Sequence, residues 1–203
     1  MNHLTEARAG FLAPAPLTEH AQTLYDSDVE QQGYVANLTR IWAYAPEALG
    51  ALSFMLRRSM ELSAMTPHQR GLLTSVAAAT LGDSYCSLAF GRRLAATGGD
   101  VAAVQALTGR DGELLPDDQV LAAWTRKVVD DPSSTTAEDI EQLRAAGYDD
   151  LGIFALTLFV ALRVTFSTVN SALGAGPDPV AGRPGARCGA RGRHLGSPGR
   201  LAS

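Results

Sequence analysis

Two segments of the chain lack charged residues and are rich in aliphatic ones, and they constrain the fold more than any other feature. Residues 72–81 read LLTSVAAATL, and residues 151–162 read LGIFALTLFVAL. Each is shorter than the roughly 20 residues that a bilayer span requires. Segments this apolar and this rich in helix-forming residues indicate helices that are buried among other helices. The sequence therefore predicts a helical core and no membrane partner.

The composition favours an all-α fold. The chain has 203 residues, of which 46% are hydrophobic and 6% aromatic, so its apolar content is mainly aliphatic. This is enough for one globular domain, which we place at residues 20–175. About eight helices are predicted, because capping residues, prolines and glycines separate the helical patterns and no convincing strand occurs between them. A flexible N-terminal arm, residues 1–19, and a disordered Gly/Arg/Pro-rich tail, residues 176–203, are expected to flank the domain.

Local signals place several helix boundaries. Thr66 followed by Pro67 predicts a capped helix start, and Thr136 with Asp139 has the spacing of a capping box. Apolar residues at helical spacing predict a single helix over residues 29–44. The other helices are predicted over residues 46–63, 67–81, 84–96, 101–107, 116–129, 137–146 and about 150–173.

The charge is distributed unevenly along the chain. Residues 1–180 contain 12 of the 17 basic residues and all 21 acidic residues, whereas residues 181–203 contain five arginines and no acid. An acidic domain repels phosphate backbones, so no nucleic-acid partner is expected for it. The cationic end leaves three interpretations open: a disordered tail, a segment that binds nucleic acid or membrane, or an out-of-frame reading of a GC-rich gene.

The amino terminus lacks the combination of a basic region, an apolar stretch and a small-residue cleavage site, so no secretory signal is expected. A cytoplasmic location is the resulting prediction. The two cysteines, Cys86 and Cys188, lie in very different surroundings, which makes a structural disulfide between them a poor expectation. No Cys/His spacing typical of a metal site and no dinucleotide fingerprint occurs, so neither a metal nor another cofactor is expected.

Cys86 is the thiol inside the predicted domain, in the segment GDSYCSLAFG at residues 82–91. It falls near the start of a predicted helix, where the helix dipole can lower the pKa of a thiol and make it more reactive. Asp83 precedes it by three residues on the same face, and its negative charge disfavours the thiolate. A free cysteine is also a common small core residue. The residues alone therefore leave open both a reactive and an inert Cys86.

Three segments resemble the carboxymuconolactone decarboxylase and alkyl hydroperoxidase D-like (AhpD-like) family. Residues 65–91, MTPHQRGLLTSVAAATLGDSYCSLAFG, are similar to its signature pair of helices, in which Cys-x-Tyr/His-Cys-x-x-x-His opens the second helix. Residues 35–48 resemble its Asn-Leu helix followed by a Pro-led helix, and residues 134–174 resemble its C-terminal pattern. The resemblance implies an AhpD-like helical bundle, and a homo-oligomer that is a trimer or hexamer.

The family uses two cysteines, one that attacks a hydroperoxide and one that resolves the resulting sulfenic acid as a disulfide. By resemblance, Cys86 matches the attacking cysteine and Tyr85 the position before it. Asp83 stands at the position of the resolving cysteine. Phe90 and Gly71 stand at the positions of the family's histidine and acidic residue. The redox motif is therefore degenerate, because these substitutes can neither form a disulfide nor transfer the proton.

A one-cysteine cycle remains open, in which Cys86 is oxidised and an external thiol reductant restores it. His68, at the start of the preceding helix, is a weak candidate base, since it reaches Cys86 only if the two helices pack with the right offset. Cys188 is a remote alternative for the resolving thiol. The decarboxylase branch of the family would need polar groups, for which the candidates are His68, Arg70, Arg92 and Arg93, but arginines at helix ends are usually solvated and no lactone-site motif is present.

Two functions from different classes follow. The first is a thiol-dependent peroxidase, an antioxidant oxidoreductase with Cys86 as its single redox thiol. The second is a catalytically inactive family member that acts as an oligomeric scaffold or small-molecule binder, with Asp83 and Tyr85 at its former redox site.

Overall fold

The computed structural model describes residues 9–178, and these residues form an all-α fold without strands, as predicted. Residues 1–8 of the predicted arm and residues 179–203 of the predicted tail, including Cys188, lie outside the described residues. Two short 3₁₀ turns, Asp111–Glu113 and Pro132–Ser134, join helices. The eight α-helices are α1 (Glu19–Gln32), α2 (Asn37–Trp42), α3 (Pro46–Leu62), α4 (Pro67–Thr80), α5 (Ser84–Thr108), α6 (Pro116–Asp130), α7 (Ala137–Ala145) and α8 (Asp150–Ala172).

The predicted caps of α4 and α7 are confirmed. The Thr66 hydroxyl accepts from the backbone N–H of Gln69, and the Gln69 side chain accepts from the backbone N–H of Thr66. Thr136 and Asp139 form the same reciprocal pair at the start of α7. These bonds satisfy backbone donors that a helix start leaves without a partner, and therefore fix where each helix begins.

The prediction of one helix over residues 29–44 is wrong. The backbone of Gly33 is left-handed, with φ of 84°, and it ends α1. The chain then runs through the buried residues Val35 and Ala36 before α2 begins at Asn37. Because glycine adopts a left-handed conformation without steric cost, it acts here as a helix terminator. The apolar spacing that suggested continuity comes instead from two helices that face the same core.

The predicted break near residue 99 is present inside α5. Gly99 has φ of 85° and ψ of 165°, which interrupts the helical backbone without a separating loop. The helix therefore changes direction at this glycine, and its first half, which carries Cys86, packs against α4.

The core lies around α4 and α8. Leu72, Leu73 and Val76 of α4 have no exposed surface, and Phe159 and Val160 of α8 belong to the same cluster. Helix α4 contacts α5, α6 and α8, while α8 also contacts α3 and α7. Burial of the segment 72–81 is thus confirmed for residues 72–78, whereas residues 79–81 retain exposed surface. The uncharged part of α4 can occupy this central position because it has no charged side chain that requires water.

Helix α8 is the one described helix that is long and apolar enough to cross a membrane, judged by length and composition only. Its buried face packs on four helices of the same domain, and it carries the buried polar residues Arg163 and Asn170. A core helix passes the same test as a membrane span, so this property does not indicate a membrane protein.

Both ends of the described chain contact the helices. The backbone N–H of Phe11 donates to the carbonyl of Leu173 at 2.9 Å, and the Tyr44 hydroxyl donates to the carbonyl of Ala13. At the other end, Asp178 is buried and accepts a hydrogen bond from the backbone N–H of Asn37 at 2.8 Å. Packed structure therefore continues three residues beyond the expected domain end at residue 175.

Candidate functional site

A tight connection between α4 and α5 positions the candidate thiol. Gly82, with φ of 69°, reverses the chain, and the backbone N–H of Asp83 donates to the carbonyl of Ala78 at 2.8 Å. Asp83 caps α5 by accepting a hydrogen bond from the backbone N–H of Cys86 at 2.9 Å. Cys86 thus sits near the start of α5, as the sequence predicted, in its first turn and with Asp83 held beside it by the cap.

The side chain of Cys86 points into the protein, and only 1% of the residue surface is exposed. Its Sγ accepts a hydrogen bond from Nη2 of Arg163 at 3.2 Å. The hydroxyl of Ser167, one helical turn further along α8, also interacts with the thiol. The thiol is therefore enclosed between the start of α5 and the middle of α8.

Burial dominates the acidity of this thiol and raises the pKa of Cys86 to about 11. The guanidinium of Arg163 acts in the opposite direction, while the negative charge of Asp83 adds to the increase. The helix start and the nearby cation are the surroundings that favour a thiolate, but desolvation outweighs them. In the closed structure Cys86 is a neutral thiol at physiological pH.

Arg163 is the main partner that sequence reasoning missed. It is 6% exposed, its Cζ lies 5.0 Å from the ring centroid of Phe90 and 4.8 Å from that of Phe166, and its Nε has no hydrogen-bond partner in the described structure. Burial lowers the pKa of this guanidinium, whereas the charge of Asp83 raises it. A signal was present, since Arg163 is the sole charged residue between positions 151 and 173. An ionisable residue at the end of such an apolar run needs a buried partner.

A buried aromatic pair continues the site along α8. The rings of Trp42 and Phe166 stack with centroids 5.4 Å apart. The indole N–H of Trp42 donates to Oδ1 of Asn170, a residue with no exposed surface, at 2.9 Å. This arrangement fixes the face of α8 that carries the partners of Cys86.

Tyr85 is directed to a different place from Cys86. Its hydroxyl donates to Oδ2 of Asp178 at 2.5 Å, and the same carboxylate accepts from the backbone N–H of Asn37. Burial and this carboxylate raise the pKa of the Tyr85 phenol well above its ordinary value of 10.0. The residue therefore links the start of α5 to the chain after α8.

His68 is not brought to Cys86. Its Nε2 lies 2.7 Å from Oδ2 of Asp118 in α6, where the two side chains form a partly buried pair. His68 belongs to the first turn of α4, whereas Cys86 follows the last turn, and the rise of 1.5 Å per residue separates them by roughly 18 Å. The offset that the sequence analysis required for a His68 base is thus absent.

Phe90 and Gly71, which stand at the positions of the family's histidine and acidic residue, contribute to packing in this structure. A Cβ on Gly71 would lie 3.3 Å from the Cα of Leu94, so the absence of a side chain allows α4 and α5 to approach closely. Phe90 packs beside the Cys86 cluster and is surrounded by arginines. Within residues 9–178, no group of three or more His, Cys, Asp and Glu residues is placed to hold a metal ion.

No protein-family model matches the chain, and a search of curated proteins finds no match. Solved structures are similar to it. An uncharacterised peroxidase-related protein from Silicibacter sp. TM1040 has a TM-score of 0.70 at 20% identity, with 88% of this chain and 94% of that chain covered. An alkylhydroperoxidase AhpD core protein from Ralstonia eutropha JMP134 has a TM-score of 0.73 at 17% identity, with 86% and 95% covered.

The debrominase Bmp8, in a complex with 2,3,4-tribromopyrrole, has a TM-score of 0.65 at 13% identity, with 89% of this chain and 95% of that chain covered. At these identities the comparisons establish the fold. The chain has an AhpD-like fold, as the resemblance implied, and this fold occurs in peroxidase-related proteins and in a debrominase.

Proposed function

We propose that the protein is a one-cysteine thiol peroxidase that reduces a small organic hydroperoxide. The observation that carries this proposal is the Arg163 guanidinium 3.2 Å from Cys86 Sγ, at the first turn of α5. A buried guanidinium is expensive to maintain and has no direct carboxylate contact among the described residues. A thiolate on Cys86 would compensate its charge, which gives Arg163 a role in redox chemistry.

The reaction balances with one protein thiol. The sulfur of Cys86 attacks the terminal peroxide oxygen, the O–O bond breaks, and the thiol proton goes to the departing alkoxide, so that a sulfenic acid and an alcohol form. An external thiol then condenses with the sulfenic acid to give a mixed disulfide and water. A second external thiol releases Cys86 as the thiol and leaves as a disulfide. None of these three steps requires a second cysteine in the chain.

The proposed reaction requires an open state. In the closed structure Cys86 is 1% exposed and protonated, so a hydroperoxide cannot reach a thiolate. Local opening around the start of α5 would expose the sulfur and remove the desolvation that raises its pKa. Arg163 would then remain as the cation beside the sulfur, and thiolate formation would become favourable.

A second candidate function is a catalytically inactive binding protein. Its specific support is that burial and Asp83 both act against a thiolate at Cys86. The resolving position carries that aspartate, and Phe90 and Gly71 supply no proton transfer. In this case the AhpD-like fold serves as a scaffold or small-molecule binder.

Exposure of the purified protein to a small organic hydroperoxide separates the two functions. Cys86 is followed by intact mass and sulfenic-acid trapping, with the Cys86→Ser and Cys188→Ser variants as controls. The peroxidase predicts oxidation of Cys86 far faster than that of a free thiol, with recovery by added thiol. If Cys86 stays reduced while the protein is folded, the peroxidase proposal is wrong and the binding function stands.

Two further parts of the proposal concern assembly and location. Leu151 and Phe154 of α8 are 52% and 62% exposed, and large apolar side chains in such positions support a homo-oligomer, a trimer or hexamer. Light scattering of the full chain tests the assembly, and a monomer at micromolar concentration would contradict it.

A cytoplasmic location would keep Cys86 reduced between turnovers.

A further inference from the structure

We propose that Arg70, Arg93 and Phe90 form a binding site for the oxyanion group of a small ligand, a carboxylate or a phosphate. Arg70 and Arg93 are the exposed, outer arginines of this site. Arg163 also lies over the Phe90 ring, but it is buried and donates to Cys86. The site goes beyond the proposed redox function, because binding there does not require Cys86 to react.

The geometry brings three cations to one aromatic ring. The Cζ atom of Arg93 lies 4.7 Å from the Phe90 centroid, that of Arg163 5.0 Å, and that of Arg70 5.8 Å. They come from three different helices, α5, α8 and α4. The close approach of α4 and α5 at Gly71 and Leu94, one residue after each outer arginine, holds this arrangement in place.

No carboxylate neutralises the two outer arginines among the described residues. Other arginines on the surface do pair, as Arg58 does with Glu61 and Arg144 with Asp150. The guanidinium groups of Arg70 and Arg93 lie over the ring of Phe90 and form no ion pair with a carboxylate among the described residues. The pKa of Arg70 is below its ordinary value because of partial burial and the positive charges of Arg93 and Arg163.

A second observation comes from the inner arginine. Arg163 is more than nine-tenths buried, and its Nε has no hydrogen-bond partner in the described structure. Asp83 is the carboxylate whose charge acts on it, and Cys86 is the partner of its Nη2. The positive charges of Arg93 and Arg163 also act on Arg70, and that of Arg93 acts on Arg163, so this cluster has an excess of positive charge that an anion would relieve.

The chemistry of the outer groups defines the ligand. Guanidinium groups bind carboxylate and phosphate oxygens through paired N–H donors, and such charge-assisted bonds are strong. Arg70 and Arg93 both reach solvent, so an anion can approach them without unfolding of the domain. The Phe90 ring, which both guanidinium groups approach, adds an apolar surface for the rest of the ligand.

The test is a calorimetric titration of the full chain with benzoate and, separately, with inorganic phosphate, at ionic strength matched with chloride. We expect saturable binding that weakens at least tenfold in Arg70→Gln and in Arg93→Gln. Arg92→Gln is the matched control, because Arg92 is an exposed neighbour that is not one of the three arginines over the Phe90 ring, and it should bind as the unchanged protein does. Binding by benzoate alone identifies a carboxylate site, and binding by phosphate alone identifies a phosphate site.

The same titration on Cys86→Ser keeps this proposal separate from the peroxidase proposal, since binding should persist there. Thermal unfolding without ligand provides a second measurement. Removal of one like charge should leave the melting temperature of Arg93→Gln equal to or above that of the unchanged protein. Equal affinity in all the arginine variants, or no binding beyond that seen with chloride, would overturn the site.

Discussion

Replacement of Asp83 by asparagine should make Cys86 more reactive. Asp83 caps α5 through the backbone N–H of Cys86, and its charge is one of the causes that raise the thiol pKa to about 11. Asparagine caps helices about as well as aspartate does, so the substitution removes the charge and preserves the fold. Arg163 then loses its carboxylate counterpart, and a thiolate at Cys86 becomes the group that can balance it.

The size of the effect can be worked from the structure. The capping carboxylate lies 2.9 Å from the backbone nitrogen of Cys86, which places it within about 5 Å of the thiol sulfur. At an effective dielectric constant of about 20, two charges at that separation interact by about 3 kcal/mol, or about 2 pKa units. The pKa of Cys86 should therefore fall from about 11 to about 9.

At pH 8 this change raises the thiolate fraction about 100-fold, from about one in a thousand to about one in ten. The assay follows the ultraviolet absorbance of the thiolate between pH 7 and pH 9.5, on a Cys188→Ser background that leaves Cys86 as the single thiol. The same protein with Cys86→Ser supplies the baseline. The thiolate absorbance should rise about 2 pH units lower in Asp83→Asn than in the unchanged protein.

The matched control is Asp149→Asn, the same substitution at the cap of α8, where Asp149 accepts from the backbone N–H of Gly152 at 2.7 Å. It should leave the thiolate titration unchanged. If Cys86 ionises at the same pH in Asp83→Asn as in the control while both proteins remain folded, the charge of Asp83 does not set the acidity of Cys86. The electrostatic account of the site would then be refuted.

Four further outcomes are expected. Burial raises the folded-state pKa of Cys86 from 9.0 to about 11, so its contribution to stability is complete below pH 9 and is lost as the pH rises toward 11. This loss amounts to about 3 kcal/mol, and urea unfolding of Cys86→Ala should lack that part of the alkaline decline. Trp42→Phe should lower the free energy of unfolding by about 1–3 kcal/mol, because buried Asn170 loses the indole donor. Gly71→Ala should destabilise the protein by about 1–2 kcal/mol through overpacking against the backbone of α5. Gly50→Ala should stabilise it by about 0.5–1 kcal/mol, because Gly50 lies inside α3 with open space around it.

Each of these outcomes has a result that contradicts it. Parallel pH dependence in the unchanged protein and in Cys86→Ala would show that the thiol does not titrate in this range. A Trp42→Phe protein as stable as the unchanged one would mean that the bond to Asn170 contributes nothing. The two glycine variants act as controls for each other, because both gain helix propensity and only Gly71 faces the backbone of another helix. A shift of the same sign in both would refute the packing argument.

The helical fold could be predicted because its signals are local. Capping residues such as Thr66 and Thr136 specify where a helix begins, and an uncharged segment such as residues 72–81 specifies that its helix is buried. The error over residues 29–44 came from the same kind of signal. Hydrophobic spacing alone cannot distinguish one helix from two that face a common core, and the conformation of Gly33 decides between them.

The sequence by itself determined the helix class, most of the helix boundaries, and the position of Cys86 near the start of α5, three residues after Asp83. Only the tertiary structure decided that the thiol is buried, that Arg163 lies against it from α8, and that His68 pairs with Asp118. The physical reason is the range of the interactions involved. Caps and amphipathic faces act over three or four neighbouring residues, whereas the acidity of a thiol depends on desolvation and on charges that packing brings from distant parts of the chain.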